Sequence, residues 1–215
     1  MPEIIAKIIC AAILSLIGSL WIDKLYSQST ELTFPNEISS RSKFRKPILF
    51  LSTAILFNMT DELFLMAAIF LLVLMTLTDF EQYMLFDAMT LPLALIGAIY
   101  AWQNSTLQEN FLAATVGGGI FLLIAIISKG SLGGGDIKLI FGLGMWLGAE
   151  KLINVVLIGT ICGGVAAIVM IVAKKKNRGS YFAYGPYFTL SALYFLLAAP
   201  LSFFPHAIRL PIQFF

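Results

Sequence analysis

The chain alternates between apolar runs and short charged connections, and that rhythm limits what it can fold into. Eight apolar runs recur along its 215 residues, at 4–22, 47–60, 63–78, 88–102, 111–128, 137–149, 152–173 and 187–204. A run of about 20 apolar residues is long enough to cross a bilayer as a helix. Composition points the same way: 59% of residues are hydrophobic and 12% charged, against about 45–50% and about 25% in a soluble domain. Too little polar surface remains to cover a water-facing globule. The expectation is an all-α, polytopic integral membrane protein with about eight transmembrane helices.

Two runs, 47–60 and 137–149, are short for a span. Each is read either as a thin span or as a re-entrant segment lining a wet cavity. The first run has Glu3 ahead of it and no small-residue cleavage site behind it, so it reads as a spanning helix rather than a secretory signal. There is no internal repeat, low-complexity tract or long linker. The chain therefore reads as one membrane domain, 1–215, with N-terminal helices and a short loop over 1–62 and a core over 63–204.

Basic residues give the orientation. With the N-terminus outside, the inward loops and helix ends hold Lys24, Arg41, Lys43, Arg45, Lys46, Lys129, Lys138, Lys174, Lys175, Lys176 and Arg178. The outward side keeps Lys7, Lys151 and Arg209. That is 11 of the 14 basic residues on the cytoplasmic side, as the positive-inside rule requires. Eight spans also return the C-terminus to the outside.

Metal and thiol chemistry have few candidates. Cys10 and Cys162 lie in separate apolar runs, and His206 is the one histidine, beside Pro205. No zinc site is expected from these donors.

One carboxylate stands apart. In SLGGGDIKLI, residues 131–140, a glycine run delivers Asp136 to the start of an apolar run. An ionisable residue at membrane depth is by default a functional candidate; the alternative is a helix N-cap after a glycine loop. Most other acids lie in loops or at helix ends, and Asp61 and Glu62 are placed to cap the third helix. Asp79 is not, because it falls at the C-terminal end of run 63–78, where a negative charge opposes the helix dipole. The topology sends Asp79 and Asp136 to the same cytoplasmic face.

Two carboxyl groups sharing a desolvated site cannot both ionise easily, so one keeps a proton while the other is charged. Such a pair can activate water and polarise a scissile carbonyl. Glycines 133–135 suit the task, since backbone without side chains can approach a substrate strand closely.

Several segments, in order, resemble the type IV prepilin peptidases, membrane-embedded GxGD aspartyl proteases. They are Leu77-Thr78-Asp79 with Phe86-Asp87-Ala88-Met89-Thr90-Leu91-Pro92, then Gly133-Gly134-Gly135-Asp136-Ile137-Lys138-Leu139, Gly144-Met145-Trp146-Leu147-Gly148, and Tyr184-Gly185-Pro186-Tyr187. Together they extend over about residues 63–200. The resemblance implies that Asp79 and Asp136 are the catalytic pair, that Gly133, Gly135, Lys138, Asp87, Gly185 and Pro186 support the substrate loop, and that no metal takes part. It also implies prepilin or pseudopilin substrates, with a basic leader ending in Gly ahead of an apolar helix, cut at the cytoplasmic face of a bacterial inner membrane. Lipid is the other partner, and nucleic acid is not.

The chain departs from that family in two places. Phe86 stands where a proline commonly precedes the acid at 87, and Asp87 itself reads as a helix cap. The connection 23–46 is short and lacks the paired CxxC motifs found in bifunctional members. Zinc is therefore not expected, and methyl transfer from S-adenosylmethionine is expected to be weak or absent.

Smaller features keep two readings. Lys138 either lowers the pKa of a neighbouring carboxylate or snorkels to the interface; Lys174–Arg178 either anchors topology or contacts acidic lipid. Trp21, Trp102 and Trp146 read as interfacial belt or packing residues. Among other functions, a presenilin-like protease would show a YD motif where this chain has Thr78-Asp79. A small proton- or cation-coupled transporter could use the same two acids, but would more often show inverted repeats. A scaffold without catalysis would not need both acids.

Overall fold

A computed structural model describes residues 2–129, 132–173 and 182–197. The described residues form helices and connections, with no strand among them. The helices are α1 (Pro2–Gln28), α2 (Ile38–Arg41), α3 (Arg45–Phe57), α4 (Leu63–Gln82), α5 (Asp87–Gln103), α6 (Leu107–Ile127), α7 (Gly134–Val172) and α8 (Gly185–Leu197). A single 3₁₀ turn, Pro35–Glu37, precedes α2. In hydrocarbon a backbone must satisfy its polar groups within its own segment, and a helix does so. α1, α4, α6 and α7 are each long and apolar enough to cross a membrane, and α8 is a shorter apolar helix. The chain is an all-helical, polytopic membrane protein, as its sequence leads one to expect.

α4 is the hub. It is apolar all round and buried at Ala68, Ile69 and Leu71–Met75, the mark of a helix enclosed on nearly every side. It packs against α3, α5 and α8. α1 lies outside, presenting Ile4, Ile9, Leu16 and Leu20 outward. Its buried stripe, Ala11, Ser15, Gly18, Ser19, Ile22 and Tyr26, recurs at helical spacing. Small residues on such a stripe let membrane helices approach closely.

The two runs 137–149 and 152–173 prove to be two arms of α7, 134–147 and 149–172, joined at Gly148. The arms fold back on one another. Ile140 and Leu152 both crowd Gly117 on α6, yet twelve residues along a straight helix would separate them by about 18 Å. The reversal needs Gly148, whose φ of 67° and ψ of −177° few other residues adopt. Asn110 on α6 braces the turn, its Nδ2 donating to the Met145 carbonyl at 2.8 Å. The first arm, 14 residues long, measures about 21 Å, shorter than the roughly 30 Å of a hydrocarbon core.

Other expectations need correction. Glu62 occupies the N-cap of α4 but its side chain makes no capping bond. It accepts from the Tyr100 hydroxyl instead, at 3.2 Å, while Asp61 pairs with Lys7 at 2.5 Å. Both carboxylates found partners on other helices. Trp146 is a packing residue: buried, stacked on Tyr100 with centroids 5.0 Å apart, and donating to the Leu93 carbonyl at 2.8 Å. Trp102 is 72% exposed at the end of α5, where an interfacial indole is at home. The Lys174–Arg178 cluster, His206, Arg209 and the C-terminus lie outside the described residues.

Candidate active site

Three chain segments converge at one end of the bundle. The first is the end of α4, where Asp79 is buried at 5% exposure. The helix stops four residues later at Tyr83, in the left-handed region at φ 55°, its N–H returning to the Asp79 carbonyl at 2.9 Å. The second is the start of α7, where Gly133 is the N-cap. Asp136 is therefore the third helical residue rather than the cap itself. Its own N–H donates to the Gly133 carbonyl at 3.1 Å, and its carboxylate faces back to the Gly133 backbone N–H. That backward reach is half of a capping box, so the acid braces the glycine turn from within the helix.

The third segment is the start of α8. A methyl group at Gly185 would sit 2.6 Å from Asp79 Oδ2 and 3.2 Å from Leu85 Cδ1. A methyl at Gly135 would sit 2.8 Å from Leu85 Cβ and 3.1 Å from its carbonyl oxygen. Leu85, in the connection between α4 and α5, is thus held between two glycines from different helices. Both helices start with backbone N–H groups that a first turn leaves unpaired, and the Gly185 amide is turned toward the Asp79 carboxylate. One turn earlier, Thr76 and Thr189 share a hydrogen bond of 2.6 Å, and Thr189 also donates to the Pro186 carbonyl at 3.1 Å. That pair fixes α8 to α4 immediately below the acid.

Asp79 and Asp136 thus lie at one junction, where Leu85 touches both Gly185, which abuts Asp79, and Gly135, which precedes Asp136. Asp79 Oδ2 is buried without a hydrogen-bond partner among the described residues. A buried carboxylate oxygen left unpaired is costly, and such groups collect where a ligand or water completes the site. No group of three His, Cys, Asp or Glu side chains converges among the described residues, and Cys10 and Cys162 are both exposed.

Lys138 and Asp87 pair with each other. Lys138 Nζ donates to both Asp87 oxygens, at 2.6 and 2.7 Å, on an exposed surface. It pairs with Asp87 rather than with Asp136. Asp87 follows the N-cap residue Phe86, which makes no side-chain cap bond, and its carboxylate is directed to the lysine instead of the helix end. The pair links the start of α5 to the start of α7.

Sequence reasoning missed a second charged cluster beside the site. Glu81 is buried at 5% exposure, two residues beyond Asp79. Arg45, at the start of α3, donates to it through Nε at 2.9 and 3.0 Å and through Nη2 at 2.5 Å. The Tyr26 hydroxyl of α1 donates to Glu81 at 3.0 Å, and Asp23 accepts from Arg45 Nη1. Its signal was an acid beside a run end and an arginine two residues ahead of a proline, each of which also fits a loop.

Residues 65–168 match the model of the type IV leader peptidase family. Among curated proteins, the chain is similar to a Prepilin leader peptidase/N-methyltransferase of Neisseria gonorrhoeae, 39% identical over 56% of this chain and 43% of that protein. Proteins of the same name match from Legionella pneumophila, at 29% identity over 61% of this chain and 48% of the relative, and from Aeromonas salmonicida, at 27% over 68% and 54%. The chain thus spans about half the length of the curated relatives it matches. No solved structure matches it.

Proposed function

We propose, from the match of residues 65–168 to the type IV leader peptidase family, that this chain is a membrane-embedded aspartyl endopeptidase that removes leader peptides from prepilins or pseudopilins. Asp79 and Asp136 are its catalytic pair. The observation that carries this reading is the convergence of the Asp79 end of α4 with the Asp136 start of α7 around Leu85, both acids inside the matched segment and one Asp79 oxygen buried and unpartnered.

The chemistry follows from the pair. One carboxyl group holds a proton and the other is charged. The charged member takes a proton from a water molecule as its oxygen attacks the scissile carbonyl carbon, and the neutral member donates to the carbonyl oxygen. Collapse of the tetrahedral intermediate breaks the C–N bond, with a proton passing to the leaving nitrogen. Gly133, Gly135 and Gly185 keep side chains out of the space beside the acids, where an extended substrate backbone would lie.

The substrate would present a basic leader in water and an apolar helix in the bilayer. The bias of basic residues toward one side, 11 of 14, supports an active site at the cytoplasmic face of a bacterial inner membrane. In the relatives the name joins peptidase to N-methyltransferase; for this chain the reading is peptidase activity, with methyl transfer weak or absent.

The test is cleavage of a prepilin-like substrate in membranes by the wild type, Asp79→Asn and Asp136→Asn. Both variants should lose cleavage while inserting normally. Cleavage retained by either one would overturn the catalytic pair. Labelled S-adenosylmethionine in the same reaction reads out methylation, and efficient labelling of the product would overturn that part of the reading.

A further inference from the structure

The last turn of α4 is held from outside the family match. Asp79 and Glu81 are two positions apart, about 200° around a helix, so they leave it on nearly opposite sides. Asp79 faces the Gly185 start of α8 and Asp136. Glu81 faces α1 and α3, where it takes Arg45 and Tyr26. Gln82 pairs with the backbone of Phe34 in both directions, accepting at 2.8 Å and donating at 3.1 Å. Arg41 sits over the Phe34 ring at 3.5 Å and donates to the Glu81 carbonyl at 3.2 Å. Every one of these partners lies within residues 23–45, ahead of the matched segment 65–168.

A buried ion pair is a poor choice for stability alone. Arg45 and Glu81 side chains are 1% and 6% exposed, and desolvating both charges offsets most of their attraction. What a forked guanidinium adds is direction, because its bonds to a carboxylate hold only over a narrow range of positions. The turn it holds carries Asp79.

We propose that Arg45 and Glu81 are positioning residues: the segment 23–45 clamps the end of α4, its ion pair from the side opposite the acid, and fixes where Asp79 stands relative to Asp136. The role deepens the peptidase reading above and rests on it. A displacement of about 1 Å at a reacting group can cost about a hundredfold in rate, and a helix end released from one side has room for such a shift.

The experiment replaces the ion pair by side chains of similar volume, Arg45→Met with Glu81→Met, and compares Glu81→Gln, which keeps shape and an accepting oxygen. Lys7→Met with Asp61→Asn removes an ion pair at the other end of α4 and serves as the control. The expected result is a full-length, inserted double variant whose thermal midpoint is close to the wild type, since buried pairs are often replaceable without loss of stability. Its kcat should fall by about tenfold or more with KM little changed, while the control keeps both. Glu81→Gln should lie between, and it decides the matter if the double variant does not fold.

A second readout needs no activity. Spin labels at Phe80→Cys and Lys129→Cys, with Cys10 and Cys162 changed to Ser, report the distance from the end of α4 to the end of α6. The distribution should broaden or shift in the double variant and in Glu81→Gln. An unchanged distribution, or kcat retained at the wild-type level, would overturn the clamp. If no protein cleaves any substrate, the peptidase reading falls, and the spin-label distances still decide whether the clamp holds the helix end.

Discussion

Gly185 shows how little room the site allows. Its amide is turned toward Asp79, and a single methyl at its Cα would stand 2.6 Å from Asp79 Oδ2, well inside van der Waals contact. Neither neighbour can yield cheaply, because Leu85 blocks the other side at 3.2 Å. Gly185→Ala should therefore push the carboxylate off its position and lower kcat by about tenfold to a hundredfold. Gly134→Ala is the contrast, since a methyl there meets nothing within 4 Å and alanine favours a helix over glycine by up to about 1 kcal/mol. It should cleave like the wild type and unfold no earlier. Equal losses in the two variants, measured as initial rates on one substrate, would show that backbone freedom rather than contact governs the site. Lys138 and Asp87 lie at the other extreme. Their pair is roughly half exposed on both sides, and exposed pairs contribute about 0–1 kcal/mol, so Lys138→Met should leave thermal stability nearly unchanged.

At the level of the element, the hairpin at Gly148 carries the most concentrated demand on sequence. The turn leaves the Met145 carbonyl facing Asn110, a buried side chain on α6 that satisfies it. Asn110→Ala removes the donor from a buried acceptor, at a cost of about 1–3 kcal/mol, and should lower the thermal midpoint in detergent without altering KM. Gly148→Ala meets a different penalty, a backbone held at φ 67°, of about 1–3 kcal/mol. These elements differ in how far they could be read beforehand. The hairpin was visible as two apolar runs on either side of 149–152, because helix length in a membrane is written as run length. Asn110 was not, since a polar residue near a run end looks the same whether it braces a turn or meets water. The α4 capping roles given to Asp61 and Glu62 failed for a related reason: capping is a local preference worth about 1 kcal/mol, and Lys7 and Tyr100 competed for the same oxygens from other helices.

Across the whole molecule, what was legible was what depends on composition and order, and what was hidden depends on which faces meet. Helical class, the apolar runs and the placing of Asp79 and Asp136 at one end of the bundle followed from charge, hydropathy and motif order. The Arg45–Glu81 cluster did not, because each partner was plausible alone as a loop residue and only the packing of α1 and α3 against α4 joins them. The same packing makes a prediction about orientation. Segment 23–45 holds the Asp79 end of α4, and Lys129 follows α6, which runs toward the end where α7 begins. Single cysteines at Lys43 and Lys129, with Cys10 and Cys162 changed to Ser, should therefore be labelled from the same side by a reagent that cannot cross the membrane. A cysteine at Asn104, between α5 and α6, should be labelled from the other. On the proposed orientation, Lys43 and Lys129 react only after inside-facing surfaces are exposed, as in inverted vesicles, and Asn104 reacts in intact cells. Lys43 and Lys129 labelled from opposite sides would break the arrangement of helices itself. All three sides reversed would keep the fold, place the two acids outside, and remove the leader peptide of a membrane-anchored substrate from reach of the site.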